Sequence, residues 1–207
     1  MDKPEKVLFD IGNVILRATH QITFAILWEL GVRPDKVALF FHQKAYGEFA
    51  LGRITGEQFA QATREVLEAP WLTDKQIRAA HDAHIYMVDD AVMEVIRELD
   101  HKKRLLGFVT TTNEWQTERE HQFLDLGSVV RSHEIGMTKT SVNAWIMILQ
   151  QFKMSMDQAP SILLVDDASA NNAFAETVGL ATYQYDPRPI IGVEKLIAEL
   201  RERQLLV

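Results

Sequence analysis

Residues 7–14 read VLFDIGNV, and this stretch decides the fold. Its apolar start, residues 7–9, has the length and composition of a buried parallel strand. Asp10, Gly12 and Asn13 follow at once. Because ligands of open parallel sheets bind just beyond the carboxyl ends of the strands, this stretch predicts both a central strand and part of a functional site.

Three more apolar runs have the same character, and helical patterns lie between them. The runs cover residues 105–109, 162–165 and 181–183, and the helical patterns cover residues 113–126, 141–152, 168–178 and 193–200. Strands that alternate with helices form parallel sheets covered on both faces. We therefore predict an α/β fold with a doubly wound, Rossmann-like parallel sheet.

The region after the first strand breaks this alternation. From about residue 19 to 86 the chain has helical periodicity, and two segments, Thr55 to Gln58 and Thr73 to Gln76, match the capping box that starts helices. We predict a small all-helical cap over residues 18–86, inserted into a core of residues 1–17 and 87–207. Its position after the first strand places it over the carboxyl edge of the sheet.

Composition narrows the functional classes. The 207 residues, 47% hydrophobic and 25% charged, fit one globular α/β domain with an insertion. The net charge of −7 without a basic cluster argues against nucleic acid as a partner. No signal peptide or membrane-length apolar span is present, so we expect a cytoplasmic protein without a membrane partner, as a monomer or homodimer. The chain has no cysteine, so oxygen or imidazole ligands must hold any metal.

Polar residues follow three of the predicted strands. Asp10 follows the first, threonines 110–112 follow the second, and Asp166 and Asp167 follow the run at 162–165. Clustered carboxylates with open positions suit Mg²⁺, and the metal in turn suits a phosphorylated ligand. Lys139, just before the helix predicted to begin near Ser141, is the candidate for balancing the charge.

These segments together resemble the four motifs of the haloacid dehalogenase superfamily. The motifs are FDIGNV at residues 9–14, VTTTN at 109–113, GMTK at 136–139 and VDD at 165–167, with Asn171 following. The resemblance spans essentially the whole chain, including a C1-type helical cap. Within the superfamily it is greatest to FDxGNV phosphatases of the alpha-glucose-1-phosphatase type.

The resemblance implies a Mg²⁺-dependent phosphatase for a small phosphorylated metabolite, with sugar phosphates among the candidates. Asp10 would attack phosphorus and carry an aspartyl-phosphate, with Thr110 and Lys139 as the other catalytic residues. The metal would be held by Asp10, the Gly12 carbonyl and Asp167, with Asp166 acting indirectly. The residues implied to contact phosphate or substrate are Ile11, Gly12, Thr110, Thr111, Lys139 and His20.

One departure from the family pattern leaves alternatives open. Most superfamily phosphatases carry an acid/base aspartate at the position of Gly12. Without this acid/base group we expect slow turnover or a need for a good leaving group, unless another residue such as His20 takes over the proton transfer. His42, His81 and His84 are by default structural or surface residues. The alternative functions are binding of a phosphorylated ligand or protein without efficient catalysis and, less favoured, 2-haloacid dehalogenation.

Overall fold

The computed structural model describes residues 3–206, and its centre is a five-stranded parallel sheet. The strands are β1 (Lys6–Asp10), β4 (Leu105–Thr110), β5 (Val129–Arg131), β6 (Ile162–Asp166) and β7 (Ala181–Gln184). Their order across the sheet is β5-β4-β1-β6-β7. Helices cover both faces of this sheet, which confirms the predicted α/β class.

Strand β1 is buried on both sides, as its continuous apolar run requires. Val7 and Phe9 point into one hydrophobic cluster, and Leu8 points into the cluster on the opposite face. Successive side chains of a strand point to opposite faces, so three consecutive apolar residues fit only a strand covered twice. This burial fixes Asp10 at the carboxyl edge in the middle of the sheet.

Two short strands join the sheet to the inserted helices. Strand β2 (Leu16–Ala18) pairs in antiparallel fashion with β3 (Ile85–Val88). Both were absent from the sequence prediction, as was β5, because runs of three or four residues carry little periodicity. Between β2 and β3 the chain forms six helices, α1 (His20–Glu29), α2 (Pro34–Val37), α3 (Leu39–His42), α4 (Lys44–Ala50), α5 (Gly56–Val66) and α6 (Asp74–Asp82).

These six helices share a hydrophobic core of their own, which includes Phe40, Phe49 and Phe59. Both predicted capping boxes are present, at the starts of α5 and α6. Ala18, Ile85 and Tyr86 are strand residues, so the helices lie inside the predicted cap boundaries of 18–86. The division into core and cap stays a prediction.

Six further helices follow β3 along the part of the chain that the structure describes. They are α7 (Asp90–His101), α8 (Glu114–Glu120), α9 (Ser132–Ile135), α10 (Val142–Gln151), α11 (Ser169–Thr177) and α12 (Ile191–Glu202), with a 3₁₀ helix at Met156–Ser161. Helix α8 is a correction, because the predicted helix at 113–126 ends at Glu120. Phe123 and Leu124, which suggested its continuation, pack against the sheet from a turn instead. No helix among residues 3–206 is long and apolar enough to cross a bilayer.

Candidate active site

Three aspartates meet at the carboxyl edge of the sheet. Asp10 ends β1, Asp166 ends the neighbouring β6, and Asp167 follows it. Each offers a carboxylate oxygen within 4.8 Å of the others. Asp10 and Asp166 are buried, whereas Asp167 is half-buried. Residues distant in the sequence thus form one compact acidic cluster.

Lys139 lies inside this cluster and is itself buried. Its Nζ donates to Asp10 Oδ1 at 2.6 Å and to Asp166 Oδ2 at 2.5 Å. The indole Nε1 of Trp145 donates to the Lys139 carbonyl at 2.8 Å, and Trp145 is anchored in the core beneath α10. Lys139 is therefore a buried lysine and not a solvent-exposed surface residue.

Asp166 has both carboxylate oxygens engaged by the protein. Asn171 Nδ2 donates to Oδ1 at 3.0 Å and to Oδ2 at 3.1 Å, and the Ala168 amide donates to Oδ1 at 2.9 Å. With Lys139 on Oδ2 as well, Asp166 is placed to orient the lysine. Asp167 has more room to bind an external ligand.

One lysine does not neutralise three carboxylates. Burial and then repulsion from Asp166 raise the pKa of Asp10 from 3.8 to about 7, against the attraction of Lys139. Burial and the same neighbour also raise the pKa of Asp167. Burial by itself lowers the pKa of Lys139, but Asp10 and Asp166 outweigh it and the net shift is upward. The cluster therefore carries surplus negative charge, and the donor set fits a hard divalent cation such as Mg²⁺.

The turn after β1 brings Gly12 next to this cluster. Asn13 has a left-handed φ of 55°, which asparagine tolerates better than most residues, and its amide donates to the Leu16 carbonyl at 2.7 Å. A Cβ built on Gly12 would have one neighbouring atom within 4 Å, Asp10 Oδ2 at 3.9 Å. Glycine here leaves open space beside the nucleophile candidate.

That space is part of a cavity of about 60 Å³ between the sheet edge on one side and β3 and α8 on the other. Three groups of residues line it: the first turn with its strand (Ile11, Gly12, Leu16 and Ala18), the threonine loop (Thr110, Thr111 and Thr112), and residues of β3, its approach and α8 (His84, Ile85, Gln116 and Glu120). The predicted phosphate-contacting residues Ile11, Gly12, Thr110 and Thr111 are thus brought together.

Comparison with known proteins rests on structure. No protein-family model and no curated protein sequence matches the chain. A HAD-family enzyme from Bacteroides thetaiotaomicron, solved in complex with magnesium, superposes with a TM-score of 0.78 and 16% identity over 91% of this chain and 96% of that one. A predicted HAD-like family hydrolase from Porphyromonas gingivalis gives 0.76 and 20% over 95% and 98%. The chain has the haloacid dehalogenase fold.

Enzymes of different activity share this fold. The 2-haloacid dehalogenase from Pseudomonas syringae pv. Tomato DC3000 superposes with a TM-score of 0.65 and 16% identity over 96% of this chain and 99% of that one. The B. thetaiotaomicron enzyme is also known in complex with magnesium and inorganic phosphate. Similarity at this level gives the haloacid dehalogenase fold but leaves the choice of reaction to the residues of the site.

The histidines occupy different places around the cavity. His20 is exposed at the start of α1, where it stacks on Phe41 with ring centroids 3.8 Å apart, and it does not line the cavity. His81 is buried and contacts the Asn113 amide at 3.2 Å. His84 lines the cavity together with Gly12, whereas the sequence argument named His20 as the possible substitute there.

Gln116 is a cavity residue that the sequence argument missed. Its Nε2 contacts His84 Nε2 at 3.1 Å and donates to the Tyr46 hydroxyl at 3.3 Å, so it ties the inserted helices to α8. Its Oε1 also accepts from the backbone amide of Asn113 at 3.1 Å in a capping box. The signal for it was present, because Asn113 to Gln116 has capping-box spacing directly after the threonine loop.

Proposed function

We propose that the chain is a Mg²⁺-dependent phosphatase that acts on a small phosphorylated metabolite. The observation that carries the proposal is the buried cluster of Asp10, Asp166 and Asp167 around Lys139. Such a surplus of negative charge is useful when a cation and a phosphoryl group complete it.

Asp10 is the proposed nucleophile. Its carboxylate attacks the phosphorus in line, the bond to the leaving group breaks, and an aspartyl-phosphate forms. Water then attacks that phosphorus and releases inorganic phosphate. Lys139, which holds Asp10 Oδ1 at 2.6 Å, orients the carboxylate and offsets negative charge that develops between it and the phosphoryl oxygens.

The threonine loop and the first turn would grip the phosphoryl oxygens. Thr110 is buried at the end of β4, beside Gly12 in the same cavity wall, and its hydroxyl is a suitable donor. The backbone amides of Ile11, Gly12 and Thr111 are further candidate donors. His20 stays a weaker candidate, which would contact substrate from the mouth of the site.

Asp10, Asp167 and the Gly12 carbonyl would hold Mg²⁺, with Asp166 supporting them through Lys139 or water. Bound there, the cation would neutralise the carboxylates and polarise the phosphoryl group. The proposal includes a soluble, cytoplasmic setting and a monomer or homodimer.

The test is phosphate release from a panel of small phosphates with Mg²⁺, comparing wild type with Asp10→Asn. We expect Asp10→Asn to lower kcat by at least about 10³-fold, because the amide is a poor nucleophile. Asp125→Asn is the matched control, since Asp125 is an exposed carboxylate in the loop before β5. Equal turnover by wild type and Asp10→Asn would refute the phosphatase proposal.

Dehalogenation is the second candidate, because a 2-haloacid dehalogenase shares the fold. That reaction also uses an aspartate nucleophile but needs no cation, so it gives no role to Asp167, the second acid of the pair. Halide release from 2-haloacids that persists in a chelator would favour it. Mg²⁺-dependent ligand binding without phosphate release would instead favour a binding protein.

A further inference from the structure

The cavity beside Gly12 is where a leaving group would lie if the proposed phosphatase function holds. Gly12 and Thr110 form its wall next to Asp10, and the opposite wall comes from β3, the residue before it and α8. A leaving group there needs a proton donor if it departs as an unstable alkoxide. The lining residues therefore limit the substrates that the site can process.

The threonine hydroxyls and the Gln116 amide are too weakly acidic to protonate a leaving group. His84 has its Nδ1 hydrogen-bonded to the His81 carbonyl, an arrangement that places its proton on Nδ1. Its Nε2, the atom that contacts Gln116, then carries a lone pair rather than a proton. Burial also lowers the pKa of His84, to about 3, so the ring stays neutral.

Glu120 is the one lining carboxyl group. Its Oε1 accepts from Arg131 Nη2 at 2.8 Å, and both residues are buried. Burial raises the pKa of Glu120, although Arg131 opposes the shift. Because Glu120 is paired with Arg131 at the end of β5, we assign it a structural role rather than that of a proton donor.

The size of the cavity restricts the leaving group further. A water molecule needs about 10–15 Å³ of such space, so roughly 60 Å³ holds about four to six water-sized groups. A group with a few heavy atoms, such as acetate, fits this volume. A hexose does not fit this volume unless the wall formed by β3 and α8 moves.

We propose that the preferred substrates are small acyl phosphates, whose leaving group departs as a stable carboxylate without protonation. In the first step the Asp10 oxygen forms a bond to phosphorus, and the bond between phosphorus and the acyl oxygen breaks, with its electron pair going to the carboxylate. In the second step water attacks phosphorus, the Asp10 carboxylate is regenerated, and the water proton passes to solvent. The sum is acyl phosphate plus water giving carboxylate, phosphate and a proton.

The experiment compares kcat/KM for acetyl phosphate and ethyl phosphate with Mg²⁺, corrected for spontaneous hydrolysis. General acid help is worth about 10²–10⁴-fold, so we expect a wild-type ratio of at least about 10² in favour of acetyl phosphate. Gly12→Asp adds a carboxyl group in the open space and is expected to narrow the ratio by about 10²-fold. Gly12→Asn adds a side chain of the same shape as aspartate without an acidic proton, so it is expected to leave the acetyl phosphate to ethyl phosphate ratio as large as in wild type.

Two results would overturn the substrate class. One is a wild-type ratio near unity; the other is a selective loss of ethyl phosphate turnover in Glu120→Gln, which would make Glu120 the proton donor. Either can occur while phosphate release still depends on Asp10, so the phosphatase proposal would survive. Phosphate release that is indifferent to Asp10→Asn would instead defeat the underlying function.

Discussion

Replacement of Asp10 by asparagine is expected to change how stability depends on pH. In the metal-free protein the pKa of Asp10 is raised from 3.8 to about 7. The folded state therefore holds a proton on this group that the unfolded chain has already lost, and wild type loses stability as pH rises from about 4 to 7. Above pH 7 the effect is complete and constant.

The size of the effect follows from the shift. One pH unit of difference in pKa corresponds to about 1.4 kcal/mol, so the rise from 3.8 to about 7 corresponds to roughly 4 kcal/mol. The free energy of unfolding of Asp10→Asn minus that of wild type should grow by this order between pH 4 and 7. The difference also cancels contributions of groups that both proteins share, including the buried histidines.

The assay is urea unfolding of both proteins in a chelator and again in saturating Mg²⁺. A cation at 100 times its dissociation constant stabilises by about 2.7 kcal/mol, so Mg²⁺ should recover much of the wild-type loss at pH 7.5. It should stabilise Asp10→Asn less. A pH-independent difference between the two proteins, or equal stabilisation by Mg²⁺, would refute the idea that surplus carboxylate charge creates the cation site.

Three further outcomes can be measured by the same unfolding assay. Gly56→Ala should lower the free energy of unfolding by about 1–3 kcal/mol, because the added Cβ would lie 2.2 Å from Trp115 Nε1. Gly47→Ala, with nothing within 4 Å of the added Cβ, should be neutral or slightly stabilising. Similar losses for both variants would contradict the packing argument. His84→Gln should reduce the loss of wild-type stability as pH falls from about 6.5 towards 3, since the folded pKa of about 3 lies below that of the unfolded chain; an unchanged acid limb would count against it. Lys139→Met should lower the free energy of unfolding by about 3–5 kcal/mol in a chelator, because two buried carboxylates lose their counter-ion, and by less with Mg²⁺. A loss that Mg²⁺ does not reduce would contradict the charge argument.

The main sheet was predictable because its central strands are long and buried on both faces. The runs at 7–9, 105–109 and 162–165 are continuous apolar segments, and each ends at polar residues. Since parallel strands share one carboxyl edge, the sequence also indicates that Asp10 and Asp166 meet there. The short strands β2, β3 and β5 carry too few residues for a pattern and depend on pairing partners distant in the sequence.

The cavity beyond the acidic cluster was less predictable. Gln116 lies on α8, just after the threonine loop, and His84 lies just before β3, where the chain leaves the inserted helices. The two residues meet only because the fold brings these distant segments together. No local pattern encodes that meeting. The sequence argument favoured His20 over His84, but His20 stacks on Phe41 outside the cavity and His84 lines it.

Helix α8 connects the position of the inserted helices to the proposed phosphate loop. Trp115 belongs to the hydrophobic core of the inserted helices, and Glu114 Oε1 accepts from the Gly56 amide at 2.9 Å. Asn113 caps α8 and also contacts His81. Any movement of the inserted helices away from α8 would have to break these contacts. Because α8 begins directly after the threonine loop, the contacts that keep the cavity small also hold the loop residues in place beside Asp10.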